Sequence, residues 1–425
     1  MILSNITVPL LGMVDTAVIG HLDHAYYLGG STVGAMIITC ITWLCGFLRM
    51  ATTGLAAQAL GQQSIQQNLL VLLRGLLVAF FVGGTFILLQ SPYINGALYL
   101  SGGSENVQFY AKQYSEIRVW GLPAALANLV LLGWLLGNHK AKAVMWILIF
   151  TNLVNLTLDI IFVLWLDWQV KGVAYATLIA EYSSVILSFS LIIHQFKHVI
   201  KTSLMDLKTK LFDKIALRSY FKLNRDILIR TLCLQSCFVF ITFQGARLGD
   251  NVVAANAILM NFLLFISFGL DGIANAAEVM VGKAKGENNH KQLQEVFKVS
   301  LFWTVIFALV YSLFFVVSGN VIVRLISDIE AVVLYADQYL IWIMILPLAA
   351  CWSYLFDGIY IGLTQAKAMR NSMVLATFGC FFPIWWLLQD YGNNGLWMAF
   401  TIFMIARGLT LAWHFQKNIW SGNFQ

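Results

Sequence analysis

The residues of this 425-residue sequence best placed to do chemistry are acids set inside apolar runs. Asp15 stands in the opening stretch Asn5-Ile-Thr-Val-Pro9-Leu-Leu-Gly12-Met-Val-Asp15-Thr16, Asp159 in a later run, and Asp271, Glu278 and Asp357 in the second half. A charged aspartate at the centre of a bilayer costs about 2.5–3.5 kcal/mol, and protonation removes the charge that makes it costly. Pro9 cannot donate to the carbonyl of Asn5 and its ring crowds the preceding turn, so Pro9 and Gly12 mark where this helix bends. Asn5, Pro9, Gly12 and Thr16 follow one helical stripe with Asp15 beside Gly12. The chemistry on offer is reversible protonation or cation binding in a bendable helix. The plain alternative is an Asp15 that caps the helix mouth and faces water.

A second constellation is Asn152, Asn155 and Asp159, whose i, i+3, i+7 spacing puts them on one helix face. Polar groups within hydrocarbon turn towards protein or water, so this face is expected to look inward. Asp15 and Asp159 together would make a two-carboxylate site in the first half, with a structural hydrogen-bond ladder as the alternative. In the second half, Asp271, Glu278 and Asp357 are secondary candidates, and Glu278 could instead pair with Arg49. Interhelical pairing or snorkelling is the expected fate of Arg49, Glu116, Arg118, Arg230 and Arg407.

These residues need membrane-spanning elements to hold them. The chain is 60% hydrophobic and 11% charged, against about 25% charged for a soluble protein, which identifies a polytopic membrane protein. The apolar runs do not alternate polar and apolar residues as a closed barrel would, so the fold class is all-α. Twelve spans are read, at 1–20, 33–60, 69–90, 108–136, 144–166, 172–195, 226–247, 253–281, 296–318, 333–362, 370–389 and 395–416. No cleavable signal is legible, and a first span starting at the first residue suggests that a native leader precedes Met1.

The net charge of +6 is unevenly placed. The stretch from Lys197 to Arg225 is rich in Lys and Arg, and the basic residues of the other loops fall mostly on that same side of the topology. The positive-inside rule therefore puts both termini and this stretch in the cytoplasm. Basic residues that lie mainly in loops between spans argue against a nucleic-acid partner. The six cysteines lie within apolar runs and are expected to stay free thiols, with Cys233 and Cys237 a weak metal pair at i, i+4. No metal-protease, phosphate-loop or nucleophile-elbow signature is present, so no catalytic residue and no cofactor is assigned.

The halves repeat. Gly20 and Gly245 lie 225 positions apart (245 − 20), as do Gly61 and Gly286, Tyr110 and Tyr335, and Gly137 and Gly362. Gly137-Asn-His-Lys-Ala141-Lys142-Ala143 matches Gly362-Leu-Thr-Gln-Ala366-Lys367-Ala368. The organisation expected is two pseudo-symmetric six-helix lobes, 1–196 and 226–425, joined by a basic cytoplasmic linker, 197–225. An even number of spans per half gives parallel repeats that can rock about a midplane site.

Four stretches carry a family resemblance: Pro9 to Leu22, Arg49-Met-Ala-Thr-Thr-Gly54-Leu-Ala-Ala-Gln58, Asn128 to Gly137, and Leu223-Asn-Arg-Asp226. They resemble the DinF branch of the multidrug and toxic compound extrusion (MATE) family along essentially the whole chain. The resemblance implies a two-lobed, twelve-helix exporter of organic, often cationic and aromatic, compounds, driven by inward protons or sodium. It implies Asp15 as the coupling residue and an N-lobe polar network at Tyr114, Asn152, Asn155, Asp159 and Thr177. Some relatives hold a cation on a seventh-helix glutamate, whereas this seventh span offers only Gln235 and Gln244, which tilts the reading towards protons.

The function expected is a proton-driven drug antiporter of the bacterial inner membrane, a monomer whose partners are small organic substrates and membrane lipids. A sodium-coupled antiporter and a flippase for lipid-linked precursors are the alternatives. Anionic head groups would need a cluster of inward basic residues, and the intramembrane arginines are scattered over both halves.

Overall fold

The computed structural model describes residues 25–101, 104–327 and 329–420, apart from the side chains of 25, 194–209, 419 and 420. The opening stretch with Asn5, Pro9, Gly12 and Asp15 lies outside the described residues. All regular elements described are helical. Ten of them are long and apolar enough to cross a membrane: Tyr26–Gly61, Ile65–Leu88, Glu105–Gly137, Ala141–Trp165, Gln169–Ile193, Lys214–Leu248, Asp250–Gly286, His290–Ile326, Glu330–Gly362 and Gln389–Asn418. They correspond to the second to tenth spans and the twelfth. The eleventh is the helical run Ala366–Val374, Leu375–Phe381 and Phe382–Leu387, whose middle segment is π-helical.

Most of these helices outrun the apolar stretches that announce them, because a helix continues past the hydrocarbon where its ends are solvated and capped. Burial on the ninth span follows from a solvent that is lipid: Thr304, Ala308 and Phe315 are buried, while Phe302, Leu313 and Val317 are more than half exposed. Lipid offers no hydrophobic penalty to those side chains, so the outer face is the oily one.

The stretch read as a basic linker is mostly helix. The sixth-span helix runs from Gln169 to Leu211, and the seventh-span helix starts at Lys214. From Val173 to Gln244 there is neither glycine nor proline, and lysine is a good helix former, so nothing in this polar stretch stops a helix. The break falls at Phe212 and Asp213, where the Asp213 carboxylate accepts from the Ala216 amide at 3.1 Å and caps the next helix. A further helix between the third and fourth spans, Gln90–Ser101, buries Ile94 and Leu98, and its Tyr93 hydroxyl donates to the Ile37 carbonyl at 2.8 Å.

The described chain divides into two compact units at Phe221/Lys222. Each has its own core, and the same offset of 225 relates their local geometry. In the first unit the fourth span presses Gly133 and Gly137 against the second-span carbonyls of Arg49 and Thr53; a Cβ on either glycine would collide there. In the second unit Gly358 and Gly362 press in the same way on Ala274 and Glu278, which are the mates of Arg49 and Thr53. Left-handed residues recur in register: Gln63 with Asn288 and His139 with Thr364. Ser64 caps the third span by accepting from Gln67, and its mate Asn289 caps the ninth by accepting from Gln292. The repeat is thus a property of the backbone turns as well as of the sequence.

Candidate functional site

The first unit collects its polar side chains between the fourth, fifth and sixth spans. On the fifth span Asn155 and Asp159 are fully buried and Asn152 is half-buried, while Leu153, Leu156 and Ile160 on the other side are exposed. The polar stripe therefore faces the interior and the apolar one faces outward. The Asn155 amide donates to the Thr177 hydroxyl at 3.2 Å, and that hydroxyl donates back to the Val173 carbonyl at 3.0 Å. One side-chain bond thereby ties the fifth span to the sixth. Tyr114, also buried, comes from the fourth span and packs among Tyr27, Val163, Val170, Val173 and Ala174, within a turn or so of both polar groups.

Asp159 is the last residue of the regular α-helix, and Ile160–Trp165 continues as a π-helix. A widened turn of this kind exchanges one hydrogen-bond register for another and concentrates at functional sites. The carboxylate thus stands where the backbone ladder of the fifth span changes. Of the residues expected near Asp15, Asn155 and Thr177 are hydrogen-bonded, Asp159 is buried one turn further along the fifth span, Tyr114 packs with Val163 and Val173, and Asn152 is half-buried.

The second unit arranges its charge differently. Asp357 on the tenth span is buried and accepts from Arg230 of the seventh and from Arg407 of the twelfth, the latter at 2.6 Å, both on the same Oδ2. Arg407 also reaches the Met404 sulfur at 3.1 Å and lies 5.5 Å from the centre of the Phe403 ring. Taking three charges out of water is tolerable only while they compensate one another. A carboxylate already spanned by two guanidinium groups has little charge left to offer a sodium ion or a proton. Asp271 is half-buried and Glu278 buried, both on the eighth span, and neither belongs to this triad.

Two further acids brace helices within their own unit, Glu181 in the first and Asp226 in the second. Glu181 on the sixth span receives a two-pronged pair of 2.8 Å bonds from Arg118 on the fourth, and its own carbonyl accepts from Asn128 at 3.0 Å. Asp226 is buried and accepts from Arg370, at the start of the eleventh span, at 2.8 Å. The signal in each case was an acid within or beside an apolar run; Arg118 was expected to pair between helices, Asp226 also accepts from its neighbour Arg225 at 2.9 Å, and nothing local matched either acid to its partner 63 or 144 positions away. Glu116 remains at the surface, 3.9 Å from Lys112.

The sequence matches the MatE family over residues 1–161 and 227–387. It is 44% identical over 425 residues to DNA damage-inducible protein F of Escherichia coli (strain K12), covering 99% of this chain and 92% of the relative. Against Protein DETOXIFICATION 44, chloroplastic, of Arabidopsis thaliana it is 22% identical, covering 95% and 78%. Among solved structures, a mutant of the Vibrio cholerae MATE transporter VcmN superposes with a TM-score of 0.86 at 20% identity, over 100% of this chain and 96% of that one. A MATE protein in a bent conformation gives 0.85 at 18%, over 98% and 93%.

Proposed function

The chain belongs to the MatE family, and on that premise we propose that it is a proton-driven antiporter exporting organic, often cationic and aromatic, compounds across a bacterial inner membrane, with both termini in the cytoplasm. Asp15 takes a proton from the outside, loses its charge and enters a less polar surrounding. The first span bends at Pro9 and Gly12, the pocket of the N-terminal unit narrows, and substrate leaves. Asp159, Asn155, Thr177 and Tyr114 form the polar layer that receives the protonated segment. A potential of about 100 mV supplies about 2.3 kcal/mol per charge, so one proton supports a gradient of roughly several tens for a neutral substrate.

The observation that carries this reading is the contrast between the two buried aspartates. Asp357 is neutralised inside its own unit by Arg230 and Arg407. Asp159 is fully buried on the same helix face as Asn155, which donates to Thr177, and it stands at a change of helical register. The internal neutralisation of Asp357 supports assigning the proton chemistry to the N-terminal unit. The absence of a seventh-span glutamate, with Gln235 and Gln244 in its stead, favours protons over sodium.

Dye efflux from energised vesicles tests it. Asp15→Asn is expected to abolish export while the protein still inserts, and replacing sodium with choline is expected to leave export unchanged. Undiminished efflux by Asp15→Asn would remove that residue from coupling, and efflux that stops in choline while the proton gradient persists would reverse the choice of ion.

A further inference from the structure

The turn between the sixth and seventh spans carries a surface that packing does not explain. It is pinned to the opening turns of the third span. Arg74 donates to the Lys210 carbonyl at 2.7 Å and to the Leu211 carbonyl at 3.3 Å, so the third span closes the C-terminus of the sixth-span helix. Leu211 packs on Leu69, Leu70 and Leu73, and the Tyr220 hydroxyl comes within 3.3 Å of where a Cβ on Gly75 would stand. The apolar run of the third span begins at Leu69. The turn therefore lies beside the start of that run, at the level where head groups give way to acyl chains.

What it turns outward is mixed. Lys214, Arg218 and Phe221 follow i, i+4, i+7 along the first turns of the seventh-span helix, with Ile215 between them. Phe212 is 62% exposed, Ile215 81% and Phe221 54%. Lys214 and Arg218 are exposed as well and, among the described residues, form no ion pair. The carboxylate of this turn, Asp213, is spent on the Ala216 amide. The positive-inside rule accounts for the lysine and the arginine. It gives no reason for two phenylalanines and an isoleucine left bare beside them.

We propose that this face binds anionic phospholipids of the leaflet on the basic side of the topology, the cytoplasmic one in the orientation proposed above. Phe212, Ile215 and Phe221 enter the acyl boundary, and Lys214 and Arg218 meet the head-group phosphates. A basic helix with bare apolar side chains is the pattern that lies in an interface, and each cation near an anionic surface adds to the attraction. An acidic protein would match the charges, but the level of Leu69 is one that lipid already fills.

The test counts bound lipid and measures no transport, so its result is independent of the exporter reading. The full-length protein, purified in detergent, is titrated with dioleoyl phosphatidylglycerol or dioleoyl phosphatidylcholine and followed by native mass spectrometry. The parent is expected to hold the anionic lipid about tenfold more tightly. Lys214→Gln with Arg218→Gln should cut that preference to about twofold or less. Lys214→Arg with Arg218→Lys keeps both charges and should retain it. Lys140→Gln with Lys142→Gln removes the same charge from exposed positions at the start of the fifth span and should retain it too. Phe212→Ser with Ile215→Ser should weaken both lipids severalfold. An unchanged preference in Lys214→Gln with Arg218→Gln, or an equal loss in Lys140→Gln with Lys142→Gln, overturns the proposal. No preference in the parent overturns it as well and leaves the face to an acidic protein.

Discussion

The two units share a scaffold and differ in what they bury. At the same offset of 225, glycines of the fourth and tenth spans press on matched carbonyls, and matched turns take the same left-handed backbone. The polar contents do not follow. Asp159, Asn155 and Thr177 have Ile384, Cys380 and Ile402 as mates, while Asp357, Arg230 and Arg407 have Leu132, Asn5 and Tyr182. Each unit therefore acquired its buried polar cluster on its own. Packing positions are constrained by a geometry common to both halves, whereas a charge needs only a partner, and the partner can come from any neighbouring helix.

The comparison breaks most readily at Asp357. Replacing it with alanine leaves two buried guanidinium groups facing each other, a loss of about 3–5 kcal/mol, to be read as a fall in the detergent-solubilised melting temperature. A stability close to that of the parent protein would mean that the triad is solvated and that the second unit is not internally neutralised. Gly362→Ala and Gly137→Ala probe the shared scaffold. Each drives a Cβ into a backbone carbonyl, so each is expected to cost about 1–3 kcal/mol, and similar losses in the two units would sharpen the case for equivalent packing. The smallest stability effect is expected for Thr177→Val, which removes the acceptor of the Asn155 amide and costs about 1 kcal/mol, measured by the same melt. Asp159→Asn keeps size and shape, and its effect is expected in transport, with efflux reduced severalfold; unchanged efflux would limit this layer to a structural role.

Much of the architecture was legible in the sequence because a bilayer imposes lengths and a repeat imposes an offset. Ten of the expected spans required only apolar runs to be read, and Gly137 with Gly362 already marked the repeat that the structure places against Thr53 and Glu278. The extent of the helices was less legible. A polar helix such as the one through Lys210 carries no hydropathy signal, and Asp213 acts as its successor's cap through a carboxylate that could equally belong to a loop. The mated turns at His139 and Thr364 were hidden for another reason: left-handed backbone there is set by position after a helix end, and the side chains differ. In the candidate site, the stripe Asn152, Asn155, Asp159 followed from helical spacing, and its inward orientation from the cost of exposing amides to lipid. The π-helical turn after Asp159 and the pairing of Arg118 with Glu181 had no local signature, since both arise from tertiary packing.

The most direct measurement is of proton movement. In sodium-free proteoliposomes that enclose a pH-sensitive dye, an imposed ethidium gradient is expected to drive protons in the opposite direction through the parent protein and through Thr177→Val, and to drive none through Asp15→Asn. Ethidium transport with no accompanying proton flux, or proton flux in Asp15→Asn equal to that of the parent, would contradict coupling through the N-terminal unit.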